Sequence, residues 1–306
     1  MKAIIIEAFG GVDQLKLKET DKPELKPDRL LVEVYATSVN PVDIKRRKGS
    51  FGGSLPMTVG NDVAGRVLEA GADVKGFEVG DRVMANGSKT YAEVVSVRPD
   101  RTVKLNDSIS FEEAAAVPLT GQAAYEAIVS RGQVKSGQRV LIHAGSGGVG
   151  TLAVQIAKLQ GAWVASTASG SNQELLKSLG VDRPVDYEKE AFEEVLEDID
   201  LVFNTIGGKV LEKSLSLIKN KGRLLSIAGD PSELVDTKIY DAQFFSMKPT
   251  KKALEQLHEW LVQGKLKPVI SEVYPFSEEG LREAHTLSET GHVQGKLIIK
   301  VKEESD

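Results

Sequence analysis

The stretch "RVLIHAGSGGVGTLAVQIA", residues 139–157, places glycine at 145, 147, 148 and 150, between an apolar run and an amphipathic one. The apolar run reads as a buried strand and the amphipathic one as a helix. Gly145, Gly147 and Gly150 match G-x-G-x-x-G, and the strand before and helix after give that motif its context. There, backbone N–H groups and the helix N-terminus would face a pyrophosphate. Gly145, Ser146, Gly147, Gly148, Val149 and Gly150 are therefore candidate nucleotide contacts. A tight turn that holds nothing is the competing reading. A Walker-type phosphate loop is a poor competitor, because Thr151 stands where it needs lysine.

Outward from this turn, continuous apolar strands alternate with helical stretches. "WVAST" (163–167), "DLVFNTIG" (200–207) and "GRLLSIAG" (222–229) read as strands; "QELLKSLG" (173–180) and "VLEKSLSLI" (210–218) read as helices. That alternation predicts an α/β fold with a doubly wound parallel sheet covered on both faces. Before it, Ser110 and Glu113 have the spacing of a capping box. Residues 1 to about 110 differ in texture. "LLVEVYATSV" (30–39) and "YAEVVSV" (91–97) are short β-branched strands, and Gly65, Gly71, Gly76 and Gly80 mark bends of a mostly β unit with barrel-like curvature. The tail adds two strands around a helix, the last expected to return to the first sheet.

The next strand, "WVASTASGSN" (163–172), bears on the cofactor. An NAD site carries Asp or Glu about 20 residues past the glycines to accept the ribose hydroxyls. Here Ser166, Thr167, Ser169 and Ser171 occupy that region, with no acid until Glu174. Small hydroxyls can donate to a 2′-phosphate that an acid would repel, so the reading favours NADP(H).

Composition removes several chemistries. The 306 residues contain no cysteine, which excludes disulfides, thiol nucleophiles, iron–sulfur clusters and cysteine-ligated zinc. With His143, His258, His285 and His292 as its only histidines, the chain has a poor stock of zinc ligands. His143, in the strand before the turn, reads as a hydrogen-bonded core residue. None of the six tyrosines has lysine four positions on, so a Tyr-x-x-x-Lys proton relay is absent. A net charge of −5 gives no reason to expect nucleic acid or an anionic membrane as partner. The start, "MKAIIIEAFGG", lacks the pattern of a signal peptide, and no run of apolar residues is long enough to span a bilayer. A cytoplasmic protein is expected.

"GNDVAGRVLEAGADVKGFEVGDRV" (60–83), "VPLTGQAAYEAI" (117–128) and "HAGSGGVG" (143–150) resemble the zinc-free branch of the medium-chain dehydrogenase/reductases, the NADPH-dependent quinone and enone oxidoreductases. "ATSVNPVDIKRRKG" (36–49), "KPVISEVYPF" (267–276) and "GHVQGKLIIKV" (291–301) resemble in particular its enone and alkenal reductases. The likeness is collinear over nearly the whole chain. It implies a discontinuous GroES-like β catalytic domain, 1–115 and 266–306, with a Rossmann NADP-binding domain, 116–265, inserted in it. The active site would lie in the cleft, and a homodimer would form near "DAQFFSM" (241–247). Zinc enzymes of the wider family carry a metal-binding cysteine where this chain reads Ser38-Val39-Asn40, and a His-Glu pair where it reads Asn61-Asp62. By the same resemblance, Gly148 and Val149 meet the pyrophosphate, and Ser166, Thr167 and Tyr187 surround the 2′-phosphate. Asn172 stands where relatives often have lysine. Ile227, Phe245 and Met247 line the nicotinamide side, with Lys296 also among the cofactor contacts.

Without a metal or a Tyr–Lys relay, reduction of an isolated ketone has no evident acid. An activated alkene demands less: hydride adds to the β-carbon of an α,β-unsaturated carbonyl, charge spreads into an enolate, and one hydrogen-bond donor at the carbonyl oxygen suffices. Asn40 and Lys45 in "NPVDIK" are the candidate donors; Lys45 belongs otherwise to a solvated run, "KRRK" (45–48). Asp43 reads as an orienting group, and Thr120 either touches the nicotinamide or caps a helix. The expected function is NADPH-dependent reduction of enones, enals or quinones. Reduction of quinones alone, and a non-catalytic NADPH-binding protein, stay open at this point.

Overall fold

A strand covered on both faces loses its alternation and becomes continuously apolar. Leu30–Val39 is such a strand, with all but one of its ten residues buried. The computed structural model describes residues 1–234 and 241–304. Its contacts divide the chain into two units, Met1–Leu119 with Pro249–Asp306, and Thr120–Lys248.

The first unit begins with β1 (Lys2–Ile6), β2 (Lys16–Glu19), β3 (Leu30–Val39), the short helix α1 (Pro41–Arg47) and β4 (Met57–Thr58). It continues with β5 (Asp62–Ala70), β6 (Arg82–Asn86), β7 (Val94–Val97) and β8 (Thr102–Lys104). β1 pairs with β2 and β4 in a small antiparallel sheet, while β3 is the hub of a larger one, pairing with both β5 and β7. Ser110 and Glu113 form the expected capping box at the start of α2 (Phe111–Ala115), which is followed by α3 (Pro118–Tyr125).

The second unit is a six-stranded sheet, parallel throughout. In chain order it comprises β9 (Arg139–Ile142), α4 (Gly148–Leu159), β10 (Trp163–Ala168), α5 (Gln173–Ser178), β11 (Arg183–Asp186), α6 (Phe192–Val195), β12 (Ile199–Asn204), α7 (Gly208–Ser214), β13 (Ile218–Ser226) and β14 (Asp241–Phe244). The spatial order β11-β10-β9-β12-β13-β14 reverses direction at β9. In an open α/β sheet, ligands bind outside the carboxyl ends of the strands at such a switch point. Leu141, Ala165, Val202 and Leu224 fill the core beneath one face.

The chain then returns to the first unit through α8 (Lys251–Val262), β15 (Ile270–Pro275), α9 (Glu278–Glu289) and β16 (Lys296–Lys300). As expected, the last strand joins the first sheet: β16 lies between β15 and β3. Thr250 caps α8 and Ser277 caps α9, each side chain accepting a first-turn amide. The sequence places the borders at 115/116 and 265/266, whereas the contacts place them at 119/120 and 248/249. The second border moves because α8 packs on the first unit. The Asn106 amide donates to His258 Nε2 at 3.0 Å, and Lys251 Nζ lies 5.6 Å from the Phe77 ring centroid. No helix among the described residues is long and apolar enough to cross a membrane.

Candidate active site

The glycine turn joins β9 to α4 in the second unit. Each motif glycine answers to a different constraint. A Cβ at Gly145 would lie 1.9 Å from Ser166 Oγ, and one at Gly150 would lie 2.1 Å from the Ala144 carbonyl oxygen. Those two positions are therefore fixed by packing inside the protein. Gly147 is different. Its φ of −80° suits any residue, and a Cβ there meets only the Ala144 carbonyl oxygen, at an ordinary 3.4 Å. Gly147, Gly148 and Val149 are also the partly open positions of the turn, where Gly145 and Gly150 are buried. A glycine that the protein's own packing does not require, at the N-terminus of a helix, fits a cradle for a pyrophosphate. Gly148 and Val149 would hold a dinucleotide there through backbone amides, since the Gly147 amide is donated to the Ala144 carbonyl at 3.0 Å. Ser146 is nearly buried beside them.

The adenosine side departs from expectation. Ser166 is fully buried, and its hydroxyl donates to the Ile142 carbonyl at 2.7 Å. Thr167 is buried too; its hydroxyl lies 3.1 Å from His143 Nδ1 and accepts from the Ala144 amide at 3.3 Å. Neither hydroxyl is presented to a 2′-phosphate, because both tie the turn to the sheet. The groups that do face outward follow them: Ser171, exposed and 3.2 Å from Ser169 Oγ, and Tyr187, 48% exposed. Asn172, in the lysine's place, is buried and donates to Ser169 Oγ at 3.0 Å. Ser166→Ala is accordingly expected to leave KM for NADPH within about twofold of wild type, since only a buried hydrogen bond is lost. Initial rates at varied NADPH check this.

His143 is the core histidine expected. Ser214 Oγ donates to the Val210 carbonyl, so it accepts from His143 Nε2–H at 2.8 Å, leaving Nδ1 to accept from Thr167. Burial pushes its pKa down to about 3. On the expected nicotinamide side, Ile227 is half-buried just beyond β13. Phe245 points into the core, stacked on Phe203 with centroids 6.3 Å apart, while Met247 is half-buried. Thr120 is buried near the start of α3.

The first unit holds a buried polar cluster around the N-terminus of α1. Asn40 is fully buried, and its carboxamide is committed on every side. Nδ2 donates to Asp62 Oδ2 at 2.7 Å and to Asp43 Oδ2 at 3.3 Å, and Oδ1 accepts from Lys296 Nζ at 2.6 Å. Asn40 thus has no proton left for a substrate oxygen. Ser38 Oγ donates to Asp62 Oδ2 at 2.5 Å, and the Leu119 amide donates to Asp62 Oδ1 at 2.7 Å. Lys296, expected from the sequence among the cofactor contacts, is instead buried here, with Nζ also 3.1 Å from the Val39 carbonyl and 3.6 Å from Asp62. Its ammonium is the internal cation of the cluster, and burial lowers its pKa. Asp43 accepts from the Asn40 amide at 3.0 Å, from Asn61 Nδ2 and from Tyr91 Oη at 3.3 Å. Burial and the neighbouring Asp62 carboxylate push its pKa up to about 6. Asp43 thus gathers donors from Asn40, Asn61 and Tyr91.

Lys45 is exposed on α1 and takes no part in this cluster. The run 45–48 is not uniformly solvated, however: Arg47 is fully buried, donating to the Gly10 carbonyl and pairing with Glu289. Arg47, Tyr91 and His285 were not singled out in the sequence. A helical signal exists for Arg47, since positions 40, 43 and 47 share one face of a helix.

Residues 26–175 match the alcohol dehydrogenase GroES-like domain, and residues 179–299 match the zinc-binding dehydrogenase family. The chain is 36% identical to 2-methylene-furan-3-one reductase of Solanum lycopersicum, over 98% of this chain and 79% of the relative. It is 35% identical to the chloroplastic NADPH-dependent alkenal/one oxidoreductase of Arabidopsis thaliana, with the same coverage. Among solved structures, the quinone oxidoreductase from Coxiella burnetii superposes with a TM-score of 0.92 at 36% identity, covering 99% of both chains.

Proposed function

The chain belongs to the quinone and enone reductases of the medium-chain dehydrogenase/reductase family, and from that premise we propose how its own residues serve the reaction. It is an NADPH-dependent oxidoreductase that reduces conjugated enones and enals or quinones. The observation that carries this reading is the cradle at Gly147, where the turn leaves room that no protein atom needs. Bound there, NADPH supplies the hydride for the β-carbon of the conjugated carbonyl. The Gly148 and Val149 amides at the start of α4 would hold its pyrophosphate, and Ser171 and Tyr187 would serve the adenosine side. Of the two donors expected at the substrate oxygen, Asn40 is fully committed within its cluster, which leaves Lys45. Its ammonium stabilises the developing enolate, and water delivers the α-proton.

Lys45→Met is expected to lower kcat about tenfold with KM for NADPH unchanged, the loss of one partly hydrated donor to an oxyanion. The function itself is tested by mixing the protein with NADPH and a panel of enones, enals and quinones. Cofactor oxidation is expected, and product analysis shows whether a C=C bond or a quinone has been reduced. No oxidation with any of them would overturn the reading. A cytoplasmic homodimer is the assembly we propose, joined through the sheet edge at β14, where Phe244 is 46% exposed. Sedimentation of wild type and Phe244→Lys checks it, the variant being expected to run as a monomer.

A further inference from the structure

Asp43 is met by two buried partners, Asn40 and Tyr91, and by one half-exposed partner, Asn61. Behind Tyr91 the bonds continue in one direction. Arg47 NH1 lies 3.1 Å from His285 Nδ1, and a guanidinium can only donate, so Nδ1 is the acceptor and the ring proton sits on Nε2. His285 Nε2–H, 3.1 Å from Tyr91 Oη, then donates to the phenol oxygen. The phenol in turn gives its own proton to Asp43. An ionised carboxylate only accepts, so Asn61 must turn Nδ2 toward Asp43, and the rest of its carboxamide is left at the half-exposed end of the array.

We propose that Asn61 is a further substrate-facing donor of this reductase, and that Arg47, His285, Tyr91 and Asp43 are positioning residues that fix its orientation. The role rests on the reductase reading above. A protonated Asp43 can donate to Asn61 Oδ1, which lets the carboxamide turn over and changes the group it presents. The array therefore acts only while Asp43 is ionised. The charged and titratable groups facing Asp43 are Asp62 from β5, Lys296 from β16 and Tyr91, with His285 and Glu289 of α9 and Arg47 of α1 behind it. Asp62 disfavours the carboxylate; Lys296 and the amide and phenol donors favour it.

Two measurements test this. In the pH profile of kcat with saturating NADPH, activity is expected to fall on the acid side with a midpoint near 6. Tyr91→Phe removes a donor to the carboxylate, so the midpoint should move upward by about one pH unit. Asn61→Ala should lower kcat roughly 100-fold across the plateau with KM for NADPH unchanged, the loss of one oxyanion donor. The second measurement needs no turnover: ¹⁵N-histidine NMR of the full chain. It should show His285 neutral with its proton on Nε2 between pH 5 and 8, its resonances shifting with the same midpoint near 6 and losing that shift in Asp43→Asn. A His285 that itself titrates in this range, or carries its proton on Nδ1, overturns the array. An unmoved acid limb in Tyr91→Phe overturns the positioning role, and a wild-type kcat in Asn61→Ala overturns the donor. If wild type oxidises no NADPH while the NMR pattern appears as described, the reductase reading fails and the array stands.

Discussion

Gly147→Ala is expected to melt as wild type does and to bind NADPH roughly 100-fold more weakly, a loss of about 2–3 kcal/mol of the size that an intruding methyl imposes on a packed contact. The backbone at 147 suits alanine, and the added carbon touches only the Ala144 carbonyl oxygen at van der Waals distance. The apoprotein therefore has no reason to change, while the space left to the pyrophosphate does. Gly145→Ala should do the opposite. Its Cβ would sit 1.9 Å from Ser166 Oγ and 2.9 Å from Leu176 Cδ2. The Ser166 hydroxyl is held by the Ile142 carbonyl and cannot simply swing away. Overpacking of this kind destabilises by about 1–3 kcal/mol or more, and the double variant Gly145→Ala/Ser166→Ala should recover part of it. Melting curves and NADPH titration calorimetry separate the two glycines. Wild-type NADPH affinity in Gly147→Ala would remove the cradle.

The second large effect is acid lability centred on His143. Its pKa is pushed down to about 3 by burial, below the ordinary histidine value near 6.5. The unfolded chain therefore binds more protons than the native one over that interval. Stability is fully present above 6.5 and is lost as pH falls toward 3. Between pH 7 and pH 5 the loss is about 2 kcal/mol for one such histidine. His285 adds a comparable loss in the first unit, since burial and the Arg47 guanidinium hold its pKa down to about 3 as well. There Asp43 works against it. A carboxyl raised to about 6 in the folded state favours folding as pH falls through 6, which offsets roughly 1 kcal/mol by pH 5. Among the described residues, no raised carboxyl offsets His143 in its own unit, which should melt first at pH 5. Scanning calorimetry at both pH values checks this. In His143→Gln, which can keep a donor and an acceptor without a titrating ring, the drop of that unit between pH 7 and pH 5 should vanish. A drop that persists there would assign it to another group.

The nucleotide unit was legible because its signals are local. A glycine spacing, an apolar strand and an amphipathic helix lie within 139–157, and the chemistry they imply is that of the backbone. The adenosine contacts were misread at Ser166 and Thr167 for a reason also present in the sequence: adjacent strand residues point to opposite faces, so the pair could not both face one ligand. Asn40 and Asp43 were found together because both lie in one local stretch, "NPVDIK". Of their partners, Lys296 was placed with the cofactor contacts and Tyr91 and His285 were missed, because these residues come across the sheet and from α9, and no spacing records that. Arg47 was hidden by its neighbours, since three exposed or half-exposed cations around it made the run look solvated. The second border moved because α8 reads as an ordinary amphipathic helix, and only its contacts show that it belongs with the β unit.

β16 is the last strand of the chain to be made among the described residues, yet it lies inside the large sheet and brings Lys296 to the two carboxylates. On the ribosome the inserted unit is complete once residue 248 has emerged, whereas the β unit waits for some fifty residues more, several seconds at about 5–20 residues per second. During that interval Asp43 and Asp62 lack their shared ammonium, and interring both as anions is unfavourable. The nascent chain should therefore finish its nucleotide unit early and leave the β unit incomplete until β16 has emerged.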